Sequence, residues 1–178
     1  ASSRSSALKR LGLRRSDYLL VTLHRPCNVD RPEVLSEVFS AFSEISKKLP
    51  VLFPVHPRTL KRFKEFRFTQ KMSESGNLRL VEPLGYLDFL HLMRNAKLVI
   101  TDSGGIQEET TFLKVPCLTL RENTERGITV TEGTNRLVPV SAEEILCAAR
   151  QALADGSSPG QIPALWDGKA SQRIARIL

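Results

Sequence analysis

Short apolar runs alternate along this chain with longer segments in which apolar residues recur every three or four positions. A continuous apolar run is typical of a strand buried on both faces, whereas the longer spacing is typical of an amphipathic helix. Strand and helix alternate about six times, which predicts a parallel sheet with helices on both faces. The predicted strands are 17–23, 51–55, 77–84, 97–101, 115–120 and 135–140.

The predicted helices carry recognisable end signals. Asp30 stands where an N-cap is expected for a helix at 30–49, and Ser141 stands before a helix at 142–155. Gly12 closes a short first helix. The other predicted helices are 58–72, which is strongly basic, 86–96, about 105–114, and 168–178.

Together these elements predict an α/β fold with a single Rossmann-like, doubly wound parallel sheet. A closed barrel of eight strand–helix units is excluded because 178 residues are too few for it. The chain is long enough to bury a sizeable core without disulfides or metals.

Composition narrows the class of protein. The chain is 41% hydrophobic and 25% charged, as is usual for a soluble globular domain. No apolar run approaches the roughly 18 residues of a membrane span, and residues 1–10 lack the apolar segment of a signal peptide. Cys27, Cys117 and Cys147 form no CxxC pair. Reduced thiols in a cytoplasmic protein are therefore expected, without a metal site and without a membrane partner.

The net charge of +7 allows three kinds of partner. Nucleic acid is the least favoured, because aromatic residues are only 6% of the chain and no recognition motif accompanies the scattered basic residues. An anionic small ligand, such as a diphosphate, is the second. A partner domain of opposite charge is the third.

Polar clusters follow five of the predicted strands. Since the carboxyl ends of parallel strands meet at one edge of the sheet, where ligands bind in such folds, we expect these clusters to form the rim of one crevice. The clusters are HRPCN (24–28), HPR (56–58), EPLGYLDF (82–89), DSGG (102–105) and RENTER (121–126).

The DSGG cluster is the clearest candidate for chemistry. A helix predicted to begin there would present unpaired N–H groups and partial positive charge, and Ser103, Gly104 and Gly105 would let an anion approach the backbone. Glu108 and Glu109 follow one turn later, where a carboxylate suits a ribose diol. The alternative is a tight strand–helix turn with acidic residues that favour the helix dipole. The segment is neither a GxGxxG fingerprint nor a P-loop.

Seven short motifs, taken together in their order along the chain, are specific enough to indicate a family. VTLHRP.N, PVHPR, GYLDFLHLM, TDSGGIQEE, VPCLTLRENTER, EGTNRLV and DGKASQRI together resemble the C-terminal half of a non-hydrolysing UDP-N-acetylglucosamine 2-epimerase, over nearly the whole chain. This resemblance implies two Rossmann-like domains facing across a cleft, in the glycosyltransferase-B arrangement. Residues 1–16 would be the interdomain linker with a short helix, and residues 17–178 the nucleotide-binding domain. The N-terminal catalytic half would be absent.

The resemblance also implies roles for individual residues. His24 would contact the nucleotide diphosphate, and the turn at 103–105 would bind it. Glu109 would bind the ribose. Arg126 would bind substrate, although Arg126 or Arg121 could instead only pair with Glu122 or Glu125.

Three further residues take roles from the same resemblance. Leu84 and Phe89 would frame the uracil, with contacts largely through the backbone. His56 matches a position implicated in an allosteric second UDP-N-acetylglucosamine, although a structural role in its loop is at least as well favoured. Cys27 stands where the family usually has glutamate in HRxEN; a reactive thiol there is the less favoured interpretation.

The implied reaction interconverts UDP-N-acetylglucosamine and UDP-N-acetylmannosamine by eliminating and re-adding UDP. His24 and Arg126 would be catalytic, since they would stabilise charge on the departing phosphate. The base that takes the proton at C2 would lie in the N-terminal half, so the chain alone should bind UDP weakly and not epimerise. No cofactor is implied. The full-length protein would be a cytoplasmic homodimer that serves cell-surface polysaccharide biosynthesis.

Two alternatives stay open. The chain could be the donor-nucleotide half of a glycosyltransferase, or a non-catalytic module that binds nucleotide sugars.

Overall fold

The computed structural model describes residues 5–68, 77–154 and 160–177, and its centre is a six-stranded parallel sheet. The strand order is β3-β2-β1-β4-β5-β6, the order of a doubly wound dinucleotide fold. The predicted fold class is therefore confirmed. The strands are β1 (Leu19–Thr22), β2 (Val51–Pro54), β3 (Leu78–Val81), β4 (Leu98–Thr101), β5 (Cys117–Leu120) and β6 (Asn135–Val138).

Helices connect successive strands in the described residues. They are α1 (Ala7–Arg10), α2 (Pro26–Val29), α3 (Pro32–Ser46), α4 (Pro57–Glu65), α5 (Tyr86–Asn95), α6 (Gly104–Leu113), α7 (Gly127–Thr131), α8 (Ala142–Ala154) and α9 (Ala170–Ile177). None of these helices is long and apolar enough to cross a membrane.

Alternate side chains of β1 enter two separate hydrophobic clusters, because successive residues of a strand point to opposite faces. Leu19 and Val21 pack with α3 and α8 on one face, in a cluster that also holds five contacting phenylalanine rings. Leu20 packs with α1 and α5 on the other face. Both faces of the sheet are thus covered, which explains why the central strands are apolar throughout.

The strand order reverses between β1 and β4, and this reversal positions the candidate site. The two strands pair in parallel from Leu19↔Leu98 to Thr22↔Thr101. The loops that leave them, which begin near His24 and Asp102, therefore lie side by side at the carboxyl edge of the sheet. This is the switch point at which such folds bind ligands.

The start of α3 differs from the sequence prediction. The helix begins at Pro32 with Arg31 as its N-cap residue, so the prediction of Asp30 as N-cap is wrong. Proline is well suited to a first helical position, because its fixed φ is helical and it has no N–H to satisfy. Asp30 instead ends α2, and its carboxylate pairs with Arg58 and Arg62 of α4.

Other helix bounds agree with the sequence prediction in some places and differ from it in others. Ser141 caps α8 as predicted, since its Oγ accepts the backbone N–H of Glu144 at 3.2 Å. The basic helix α4 ends at Glu65, and residues 69–72 of its predicted extent lie outside the described residues. The short helices α2 and α7 were not predicted. Each is only about one turn long, too short for apolar periodicity to appear.

Candidate functional site

Asp102 organises the switch point, although the sequence interpretation gave it no role. Its fully buried side chain follows β4 directly. Oδ2 accepts the backbone N–H of His24 at 3.1 Å and of Arg25 at 2.9 Å, and Oδ1 lies 3.2 Å from the same His24 nitrogen. Oδ2 also accepts the side-chain amide of Asn28 at 3.1 Å. The carboxylate therefore fixes the β1–α2 turn against the end of β4.

The imidazole of His24 is held by the same carboxylate. Nδ1 lies 3.2 Å from Asp102 Oδ1, and about half of the side chain is exposed. Because Nδ1 faces the carboxylate, a ligand would have to contact Nε2, which can donate to a phosphate oxygen when the ring is protonated. The contact with Asp102 therefore does not block the predicted contact between His24 and a diphosphate.

The turn before α6 leaves its helix N-terminus uncovered. Ser103 is the N-cap residue, and its backbone N–H donates to Thr101 Oγ1 at 3.0 Å. A Cβ built on Gly105 would meet nothing within 4 Å, whereas one on Gly104 would lie 3.3 Å from Glu125 Oε1. The fold itself therefore does not require glycine at 105. The space there is available to an anion that meets the first amides of the helix.

Glu109 is a carboxylate with one oxygen left over. Oε1 accepts a hydrogen bond from Tyr86 at 3.2 Å, while Oε2 is buried and has no hydrogen-bond partner among the described residues. Burial raises the pKa of Glu109, the bond from Tyr86 opposes that rise, and the nearby charge of Glu108 adds to it. A buried carboxylate oxygen without a donor is unfavourable, so an incoming hydroxyl would satisfy it.

The neighbouring glutamate is already paired. Glu108 Oε1 lies 2.9 Å from Arg126 Nε, an ion pair whose N–H direction is not aligned for a hydrogen bond. Arg121 pairs with Glu125 across 2.9 Å, and this guanidinium holds the pKa of Glu125 down to about 2. Both arginines of the loop thus have acidic neighbours, which the sequence left open. Glu109, the second glutamate of the pair, has no cationic partner within the part of the chain that the structure describes.

A buried polar network joins α6 to the loop that carries Arg126. Gln107 Oε1 accepts from Thr124 Oγ1 at 2.7 Å and from Asn135 Nδ2 at 3.1 Å. Asn135 in turn accepts from Thr119 at 2.7 Å. The sequence interpretation missed this network. Its signal was a glutamine four residues after Ser103, a spacing that places it on one face of α6 with the turn.

The residues proposed to frame uracil lie at the start of α5. Leu84 and Phe89 are partly buried against the second hydrophobic cluster. Tyr86, in the same helix, reaches Glu109. The structure therefore brings this end of α5 beside the carboxylate of α6, although Tyr86 itself was not among the predicted site residues.

His56 has a structural role in the fold. It is the N-cap residue of α4, and its Nδ1 accepts the backbone N–H of Arg58 at 3.3 Å. It also follows β2, the neighbour of β1 in the sheet, so it lies at the same edge as His24. The capping geometry leaves a ligand role untested.

Cys27 lines a cavity of about 490 Å³ beside the switch point. Its thiol is exposed and lies 3.7 Å from Asn28 Oδ1. Arg25, Arg31 and Arg121 line the same cavity. Arg121 Nη1 is buried and has no hydrogen-bond partner within the described residues. Among all the described residues, no group of three or more His, Cys, Asp or Glu side chains is placed to hold a metal ion.

Known proteins similar to this chain include epimerases that act at C2 of a UDP-sugar. A family model described as UDP-N-acetylglucosamine 2-epimerase matches residues 1–178. The UDP-N-acetylglucosamine 2-epimerase of Methanocaldococcus jannaschii is 44% identical over 164 residues, which are 91% of this chain and 44% of that relative. The UDP-2,3-diacetamido-2,3-dideoxy-D-glucuronate 2-epimerase of Pseudomonas aeruginosa is 36% identical over 97% of this chain and 47% of its own length.

A solved structure also matches. The crystal structure of the Methanocaldococcus jannaschii UDP-GlcNAc 2-epimerase in complex with UDP-GlcNAc and UDP has a TM-score of 0.86 and 40% identity. The match covers 99% of this chain and 49% of that one. The chain thus spans about half the length of the relatives it matches.

Proposed function

This chain belongs to the UDP-N-acetylglucosamine 2-epimerase family, and we propose that it is the UDP-binding half of such an enzyme. The whole protein would interconvert UDP-N-acetylglucosamine and UDP-N-acetylmannosamine by eliminating and re-adding UDP. The observation that carries the proposal is the buried Oε2 of Glu109, which finds no hydrogen-bond partner among the described residues and lies one helical turn beyond an open turn at Gly105.

The spacing of these groups suits a nucleoside diphosphate. Gly105 and Glu109 are four residues apart on α6, which is about 6 Å along the helix axis. Phosphate oxygens would accept hydrogen bonds from the amides of Gly104 and Gly105, the hydroxyl of Ser103 and Nε2 of His24, since the amide of Ser103 already donates to Thr101 Oγ1. The ribose would then meet Glu109, and the base would lie toward Leu84 and Phe89.

The same groups would assist the chemical step. Negative charge grows on the β-phosphate as the bond from C1 of the sugar to its phosphate oxygen breaks. Donors already aimed at that charge lower the barrier, because they need no reorganisation at the moment of reaction. His24 supplies one such donor, and Arg126, held through Nε by Glu108, supplies a positive charge beside α6.

We assign the base that takes the C2 proton to the half of the protein outside this chain. Asp102 is buried among N–H donors, and Glu108 and Glu125 are paired with arginines. Glu109 is committed to the ribose. These four carboxylates therefore have other tasks, and we expect the chain alone to bind UDP without epimerising.

N-Acetylglucosamine is the sugar we favour. The relative named for UDP-N-acetylglucosamine is 44% identical to this chain, whereas the relative named for the diacetamido-glucuronate is 36% identical. We further propose a full-length cytoplasmic homodimer that supplies cell-surface polysaccharide biosynthesis. Three free cysteines support a reducing compartment.

Calorimetric titration of the 178-residue chain with UDP tests the proposal. We expect micromolar-to-millimolar binding of UDP, weaker binding of ADP, and roughly tenfold or greater loss of UDP affinity in Glu109→Ala, since a hydrogen bond to a charged group contributes about 1.5–3 kcal/mol. Glu143→Ala, an exposed glutamate on α8, is the matched control and should bind as the wild type does. Undetectable binding at millimolar UDP, or equal loss in both variants, would contradict the assignment.

A further inference from the structure

We propose that Tyr86 is a positioning residue that makes the site select ribose over 2′-deoxyribose, because it holds the carboxylate of Glu109 in a single orientation. This inference rests on the proposed function of Glu109 and goes beyond it. No role for Tyr86 follows from the sequence motifs.

The placement of Tyr86 is not explained by core packing. It is the first residue of α5, and 62% of its surface is exposed. Its hydroxyl nevertheless donates to Glu109 Oε1 on α6 at 3.2 Å, across 23 residues of sequence. Its ring lines an open cavity of about 450 Å³ together with Glu109, Phe112 and Trp166. The described polar contact of this side chain is therefore directed at the proposed ribose carboxylate.

Tyr86 and Glu109 each favour the protonation state that their hydrogen bond requires. The negative charge of Glu109 raises the pKa of Tyr86, so the phenol stays protonated and remains a donor. The bond from the phenol in turn opposes the rise that burial imposes on the pKa of Glu109. A second charged group near Glu109 in the described residues is Glu108, which lies on the same helix and is paired with Arg126. Among these groups, the phenol is the one that donates directly to the carboxylate.

Selectivity follows from which oxygen is occupied. With Oε1 fixed by Tyr86, Oε2 keeps a constant direction and can accept the 2′-hydroxyl, while Oε1 retains a lone pair for the 3′-hydroxyl. Without the phenol the carboxylate can rotate, and it takes up a proton more easily. A protonated carboxyl both donates and accepts, so it distinguishes the two sugars less well.

The test compares UDP with 2′-deoxy-UDP on the wild-type chain and on Tyr86→Phe, which keeps the ring. We expect the wild type to bind UDP roughly tenfold or more tightly than 2′-deoxy-UDP. In Tyr86→Phe this ratio should fall several-fold, with UDP affinity falling more than 2′-deoxy-UDP affinity. Phe112→Leu alters the same cavity without touching the hydrogen bond, so it should leave the ratio unchanged.

A pH profile provides a readout that a packing role would not move. UDP-N-acetylglucosamine is the suitable probe, because its diphosphate is esterified at both ends and keeps a constant charge. Binding should be lost as Glu109 is protonated, and in Tyr86→Phe this loss should occur at higher pH.

The outcomes separate the two proposals. An unchanged ratio and an unchanged pH profile in Tyr86→Phe, with normal UDP binding by the wild type, would overturn the role of Tyr86 alone. Absence of UDP binding by the wild type would overturn the proposed function, and this inference with it.

Discussion

Asp102 provides the sharpest test of how the candidate site is built. Its buried carboxylate accepts the backbone N–H groups of His24 and Arg25 and the side-chain amide of Asn28. Replacing it with alanine would leave these three donors without their acceptor. An unsatisfied buried donor costs about 1–3 kcal/mol, and water can reach the two backbone groups because they are only partly buried. We therefore expect Asp102→Ala to lower the free energy of unfolding by about 3–5 kcal/mol.

Asp102→Asn should be much milder and should change His24 instead. The amide oxygen can take the place of Oδ2 and keep the bonds to Arg25 and Asn28, so the expected loss is about 1 kcal/mol. The amide NH₂ then faces His24 Nδ1, which must accept rather than donate. The neutral ring should therefore carry its proton on Nε2 in the variant.

Two measurements check these expectations. Urea unfolding followed by circular dichroism gives the free energies, and ¹⁵N chemical shifts of the imidazole report which nitrogen carries the proton. Asp17→Ala, at an exposed aspartate just before β1, should change stability by no more than about 0.5 kcal/mol. Equal losses in Asp102→Ala and Asp102→Asn, or a loss below about 1 kcal/mol in the alanine variant, would refute the view that this carboxylate locks the β1–α2 turn.

Three further predictions concern charge and capping. Glu109→Gln should raise the free energy of unfolding at neutral pH by up to about 1 kcal/mol while weakening UDP binding, because the folded state raises the pKa of Glu109 and so disfavours its ionised form. The gain in stability should disappear in acid, where the wild-type carboxyl is also neutral. Urea unfolding measured across this pH range would show the gain and its loss. Arg121 lowers the pKa of Glu125 from 4.5 to about 2, so this pair should stabilise the fold above pH 4.5 and lose its contribution as the pH falls toward 2. Over this pH window, the thermal unfolding temperature of Glu125→Gln should fall less than that of the wild type. His56→Asn should retain stability, since asparagine is a good N-cap residue, while His56→Ala should lower the free energy of unfolding by about 1 kcal/mol. If His56 also binds a second UDP-N-acetylglucosamine, both variants of the full-length enzyme should lose activation by that ligand. Activation that survives in His56→Asn would leave only the capping role.

Local pattern was sufficient for most of the fold. The strand β4 and the turn at 103–105 were predictable because a buried strand must be apolar throughout and a helix that follows it at once needs small residues at its start. The start of α8 after Ser141 was predictable for a similar reason, since an N-cap side chain acts within the first turn of the helix. Asp30 shows where this reasoning fails. Its carboxylate is taken by two arginines about thirty residues away, and Pro32 sets the helix start instead.

The candidate site was predictable in outline but not in its connections. His24, Glu109 and Arg126 were identified from their motifs, and the structure places them on the loops and helix at one edge of the sheet. Neither the anchoring by Asp102 nor the bond from Tyr86 could be read from the motifs. Both join residues far apart in sequence, which meet only because of the strand order.

The sequence by itself determined most of the elements, the parallel sheet and the family, because apolar periodicity, turn residues and ordered motifs all act over short stretches of chain. Only the tertiary structure decided which of the adjacent glutamates is paired and which keeps an unsatisfied oxygen. That choice depends on Arg126 and Tyr86, which reach α6 from different parts of the chain. The electrostatic state of a side chain is set by its neighbours in space, and those neighbours exist only once the sheet has brought them together.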